Sequence, residues 1–287
     1  MRARGYEAMA LLMHLGFDNA RRLKRTTYYL QYRDIRFKLI QNNPRKWSDV
    51  LLTLVPQNDK VLQEQAFVAA GEFLSALSWQ NSSPIFVRNL GGFGVRDSSL
   101  LRESRCRIFS PPRQAFMTNS GGYDITRLPR VESEEHRIAL TLMREALSSN
   151  KDFLSFLFYW QVLEVRGGNP VSWINKMFHK QSRVHVSQNE LAILEPQGRR
   201  LGETLQDDCR HAIAHIRRRA GKRALRFDRS EENRRIAIST NVIQRLAKLY
   251  VKEVLALRDV VFLVRKGGRG FPMYVDRQAG LAKPLAY

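Results

Sequence analysis

Asp152-Phe153-Leu154-Ser155-Phe156-Leu157-Phe158-Tyr159-Trp160-Gln161-Val162-Leu163-Glu164-Val165 is the stretch on which the fold of the second half turns. Phe153, Phe156/Leu157, Trp160 and Leu163 recur every three to four residues, so one broad stripe of a helix is apolar and nearly buried. Gly167-Gly168-Asn169-Pro170 stops that helix. Outward from it the same period continues. Ser133 is an N-cap for a helix from Glu134 to Leu147 with Leu140, Met143 and Leu147 on one face. Val171 to His179 reads as a short helix, Arg200 to Arg219 as a fourth and Glu232 to Leu257 as a fifth, the last carrying Ile243, Leu246, Tyr250, Val254 and Leu257 at helical spacing. Helices with one apolar face each, joined by short and medium loops, predict an antiparallel bundle.

The first half has another rhythm. From Thr26 to Ile40 apolar and polar residues alternate: Tyr28, Leu30 and Tyr32, then Ile35, Phe37 and Leu39. A period of two with β-branched and aromatic content is half-buried strand. Val50 to Val55 is a partner strand ended by Pro56, and Asn58-Asp59 caps a long helix from Val61 to Trp79. Ile85 to Arg88 is a short strand before a turn at Gly91-Gly92-Phe93-Gly94. Residues 95 to 132 carry turn chemistry, with Ser110-Pro111-Pro112, Asn119-Ser120-Gly121-Gly122 and Pro129. The expectation is an α+β protein: an α/β domain with a small sheet over residues 1–130, and a helical bundle with its tail over 131–287. From Val260 the tail is strand-sized and able to return to the first domain.

Charge narrows the partners. The 48 Lys and Arg against 27 Asp and Glu give a net +21 in 287 residues. A chain this basic commonly meets a polyanion, and nucleic acid is the commonest one. Hydrophobic residues at 44% and charged residues at 26% exclude wholesale disorder. Cys106 and Cys209 are the only cysteines, which excludes a disulfide framework and any zinc site of paired CxxC. Met1-Arg2-Ala3-Arg4 begins like a signal, yet Met9 to Leu15 is short and interrupted by His14. No run approaches the ~18 apolar residues of a membrane span. A cytoplasmic location, with no membrane and no cofactor, is expected.

Chemistry concentrates in Asp207-Asp208-Cys209-Arg210-His211-Ala212-Ile213-Ala214-His215-Ile216. On a regular α-helix, Asp208, His211 and His215 share a stripe within about 60°. Asp207 stands four residues before His211, in reach for charge pairing. Small and apolar neighbours place the segment on a packed helix, where polar groups need partners. Immediately beyond follow Arg217, Arg218, Arg219, Lys222, Arg223 and Arg226, a track suited to the phosphate backbone. Arg21, Arg22, Lys24 and Arg25 make the front half basic too.

Arg210, then four residues, then His215, with a polar residue directly after the arginine, resembles the R-x4-6-H motif of HEPN domains. The order of an aromatic-rich helix with Tyr159-Trp160-Gln161-Val162-Leu163-Glu164, the motif helix and a long closing helix is similar as well. Phe73-Leu74-Ser75-Ala76-Leu77-Ser78-Trp79 in front adds a likeness to methylamine-utilisation J-like proteins. The HEPN resemblance covers roughly residues 133 to 258. It implies metal-independent RNA cleavage by a homodimer, as in toxins and anti-phage effectors, though some members only bind or scaffold. It also implies Arg210 and His215 as catalytic residues and Glu164 as a supporting one, while a buried glutamate paired with an arginine is an equal reading of Glu164. On that reading His215 takes the proton of the RNA 2′-hydroxyl, as an imidazole suits, and Arg210 faces the charge growing on phosphorus. His211 orients substrate or carries the second proton, and Asp207 or Asp208 fixes a tautomer.

Other constellations stay open. His211 and His215 have zinc-helix spacing, but Ala212 stands where the glutamate of HExxH would be, and a third ligand would come from Asp208, His179 or His185. Tyr28, Tyr29 and Tyr32 suit base stacking or, more ordinarily, sheet packing. Cys209 beside Arg210 is an activated thiol or a buried helix cysteine. Gly267-Gly268-Arg269-Gly270 is an RNA contact or a hairpin turn.

Overall fold

The computed structural model describes residues 10–19, 27–41, 47–95, 108–109, 125, 127–180, 187–194, 200–214, 230–265 and 273–276. Two compact units divide the chain, residues 1–130 with 259–287 and residues 131–258. The fold is α+β.

The first unit is built on a sheet in the order β5-β1-β4-β3-β2-β9-β8-β7, with β6 added to β4. Its strands are β1 (Ala10–Asn19), β2 (Thr27–Tyr32), β3 (Ile35–Ile40), β4 (Trp47–Pro56), β5 (Ile85–Val95), β6 (Ile108–Phe109), β7 (Arg127–Pro129), β8 (Asp259–Arg265) and β9 (Met273–Asp276). All pairings are antiparallel except β2 with β9. Tyr28, Leu30 and Tyr32 face Leu39, Phe37 and Ile35 across the β2–β3 hairpin, and all six are buried. These facing core residues are even-numbered in β2 and odd-numbered in β3, and that change of phase is the turn. Arg33 and Asp34 form it with φ of 48° and 61°, the left-handed pair that a two-residue hairpin needs. Helix α1 (Lys60–Asn81) is capped by the Asp59 carboxylate, which accepts the Leu62 N–H at 2.9 Å. Its Phe73, Leu74 and Leu77 join Phe17, Phe37, Leu39 and Leu51 in one core.

One strand was not read from the sequence: β1 lies between β4 and β5, its Leu15 and Phe17 buried. The run Gly91-Gly92-Phe93-Gly94 is not a turn but continues β5, paired with β1 from Asn19↔Ile85 to Ala10↔Val95. A long partner strand overrides the local preference of glycine. The tail, counted with the bundle over residues 131–287 but strand-sized from Val260, returns to the first unit, where β8 and β9 pair with β7 and β2. Tyr28 and Tyr32 are buried core residues, Tyr32 edge-on to Phe73 with centroids 5.9 Å apart, so neither offers a face to a base.

The second unit is helical: α2 (Glu134–Ser148), α3 (Asp152–Glu164), α4 (Pro170–Lys180), α5 (Gln188–Leu194), α6 (residues 201–214) and α7 (Ser230–Glu253). Ser133 caps α2 by accepting the His136 N–H at 3.2 Å. His136 is buried with Nδ1 accepting from Glu132 N–H, so Nε2–H donates to the Leu255 carbonyl at 2.7 Å and ties the start of the bundle to its end. Helix α3 packs on both α2 and α7. Its Phe156, Trp160 and Leu163 are fully buried, with Phe156 and Trp160 rings stacked. The short α5 was missed in sequence because seven residues give too little period to read.

Candidate functional site

Helix α6 carries the motif, and it is not a regular α-helix. An α-helical turn, Leu201–Thr204, leads into a π-helical segment, Leu205–Arg210, and then an α-helical turn, His211–Ala214. The His211 N–H reaches back five residues to the Gln206 carbonyl. A projection at 100° per residue therefore fails between residues 205 and 210. Short π segments recur at functional sites because they re-aim side chains.

The buried face of this segment is held by Leu205 and Cys209. The Cys209 thiol donates to Ser239 Oγ on α7 at 3.2 Å, and Ser239 Oγ donates to the Arg235 carbonyl at 2.8 Å. This cysteine is a buried packing residue, which removes the activated-thiol reading. At the other end Gly202 lets α6 touch α4: its N–H donates to Asn175 Oδ1 at 2.8 Å.

That clamp presents Arg210 beside the end of α3. Arg210 Nη2 lies 3.3 Å from Glu164 Oε1, and the same oxygen accepts the Trp160 Nε1–H at 2.7 Å. The indole is 2% exposed, whereas the Arg210 and Glu164 side chains are 33% and 37% exposed. A buried indole N–H needs an acceptor. Here the acceptor is a carboxylate that also orients a half-exposed guanidinium. Asp207 Oδ1 lies 3.5 Å from His211 Nδ1, with both side chains half-exposed. Asp208 contributes its backbone carbonyl, which accepts from Arg235 Nη2 at 3.4 Å.

Arg210, Glu164, Asp207 and His211 are thus gathered on one helix and the end of its neighbour. His215 and the track Arg217, Arg218, Arg219, Lys222 and Arg223 lie outside the described residues, as do His185, Gly267 to Gly270 and Arg21 to Arg25. Among the described residues no three His, Cys, Asp or Glu side chains are grouped to hold a metal ion. Sequence reading missed Trp160 as the donor to Glu164 and missed Arg235 and Ser239 on α7. The i,i+4 spacing of Trp160 and Glu164 was the available signal; contact between α6 and α7 leaves none.

Fold and site together define a basic α+β protein whose helical unit displays a carboxylate-held arginine on a π-containing helix. Residues 139–252 of this unit match the family described as methylamine utilization protein MauJ. No curated protein and no solved structure matches the chain. No described helix is long and apolar enough to cross a membrane.

Proposed function

We propose that the protein is a HEPN-type, metal-independent endoribonuclease that cuts RNA by internal phosphoester transfer. The Trp160–Glu164–Arg210 array carries this reading. It holds a permanently charged, planar donor at a half-exposed position, the arrangement that charge building on a phosphorane needs. The RNA 2′-oxygen attacks the adjacent phosphorus while His215 accepts its proton. The 5′-oxygen departs and takes a proton from His211 or from His215 of a second copy. The products are a 2′,3′-cyclic phosphate and a 5′-hydroxyl. Arg217 to Arg223 track the backbone, and a role as toxin or anti-phage effector follows the same resemblance.

The bundle is also the surface for a homodimer. Helix α3 carries apolar residues beyond its buried stripe: Leu154 is 39% exposed, and Leu157 and Phe158 beside it are only half-buried. A second copy gives this face a cover and brings two motifs together.

The test is incubation of purified protein with total RNA, followed by sequencing and chemical typing of new ends. Wild type yields cyclic phosphate ends and keeps activity in a chelator. Arg210→Ala and His215→Ala lose about a hundred- to ten-thousandfold in rate with unchanged thermal midpoints. Glu164→Gln, which keeps the hydrogen bond but not the charge, loses less. One observation favours a second reading: the Glu164 carboxylate already satisfies Arg210, as in a purely structural ion pair. On that reading the unit is a non-catalytic nucleic-acid-binding or dimerisation scaffold, and wild type cuts nothing.

A further inference from the structure

We propose that Arg235, outside the motif, is the second phosphate-binding arginine of this site and holds an RNA backbone phosphate flanking the one at Arg210. The proposal rests on the RNA reading above, though not on cleavage. Arg235 lies on α7, one turn before Ser239, which receives the Cys209 thiol. Its Nη2 donates to the Asp208 carbonyl at 3.4 Å, a long contact to a neutral acceptor. Its Nε is buried and finds no acceptor among the described residues. No carboxylate among the described residues pairs with it.

A guanidinium has five donors in a fixed plane, and a partly desolvated charge without a counter-charge is costly. Arg210 differs, because Glu164 offsets its charge in the free protein. Among the described residues Arg235 is therefore a cation beside the motif with no carboxylate partner. A phosphodiester offers two anionic oxygens at the spacing of the fork. The Asp208 carbonyl holds the Arg235 guanidinium against the segment of α6 that also carries Arg210, and in the proposed complex the bound strand runs from one arginine to the other. Sequence-independent backbone contact is the chemistry expected of a guanidinium on a phosphate.

The probe is a single-stranded RNA with 2′-O-methyl ribose throughout, which binds but cannot cyclise. Its affinity is measured over a salt series for wild type, Arg235→Gln and Arg235→Lys. Arg235→Gln should weaken binding about three- to tenfold at low salt and lower the slope of log affinity on log salt by roughly one, equally for unrelated sequences. Arg235→Lys should keep the slope and recover part of the affinity. A wild-type slope in folded Arg235→Gln overturns the proposal. Should that variant fail to fold, the Arg235 Nε–H resonance of wild type, assigned by its loss in Arg235→Lys, decides. It shifts on adding the RNA, and an unmoved resonance overturns the proposal. Cleavage of unmodified RNA is scored separately. Its absence with the slope change intact overturns the nuclease reading alone, and its presence with an unchanged slope overturns the role of Arg235 alone.

Discussion

Trp160 and its neighbour Tyr159 show how single side chains in α3 serve different ends. Trp160 passes its N–H to a half-exposed carboxylate, while Tyr159 is buried and accepts from Gln244 Nε2 at 2.8 Å. Burial pushes the Tyr159 hydroxyl from its ordinary 10.0 up to about 12, against a smaller opposing pull from Gln244. The sign of the consequence is fixed by which state loses its proton first. The unfolded chain ionises near 10 and the folded one near 12, so the stability tied to this phenol is complete below pH 10 and lost as pH rises through about 12. The loss is on the order of 2 kcal/mol. Denaturant melts across this alkaline window should show the decline in wild type and a shallower one in Tyr159→Phe. Parallel declines would remove Tyr159 as the cause.

Among the elements, α6 depends most on its surroundings. A Cβ on Gly202 would meet the Val171 carbonyl oxygen at 2.7 Å, Asn175 Oδ1 at 2.8 Å and Val171 Cα at 3.1 Å. Two of these three atoms are backbone and cannot swing away. Alanine would gain about 1 kcal/mol of helix propensity, but forcing α4 and α6 apart costs about 1–3 kcal/mol and releases the Asn175 hydrogen bond. Sterics win. Gly202→Ala should lower the denaturation midpoint and, on the nuclease reading, reduce cleavage by displacing Arg210. A raised midpoint would show that the two helices separate freely. The same element explains why part of the site was legible and part was not. The Asp207–His211 contact follows from spacing alone, whereas the π segment leaves no composition signal.

At the scale of the whole molecule, the chain is two units with different construction. The sheet takes strands distant in sequence, so it is complete only once residues 259–276 are made. The second unit is continuous, from residue 131 to 258. The proposed homodimer is testable through α3. Leu154→Glu or Phe158→Glu should convert a dimer to monomer in sedimentation at micromolar concentration, since a charge in a buried apolar interface costs several kcal/mol. Circular dichroism should stay unchanged. A wild-type monomer at every concentration would falsify the dimer.

The amino-acid sequence by itself determined the α+β division, the Asp59 and Ser133 caps, most helices of the bundle and the Arg210 segment. Each of these rests on neighbours within one or two turns, where period and capping chemistry act. Alternation also marked Tyr28 to Leu39 as strand, and its change of phase held the hairpin at Arg33-Asp34 for a reader who counted parity. Tertiary structure alone decided the rest. β1 and the glycine run of β5 are strands because they pair with each other, and the partners of the strand-sized tail, β7 and β2, are chosen across more than a hundred intervening residues. Glu164 meets Arg210, and Arg235 meets Asp208, only because α3, α6 and α7 pack together. Hydrogen bonds between residues distant in sequence are chosen by the packing of whole elements, and no local pattern of residue types encodes that choice.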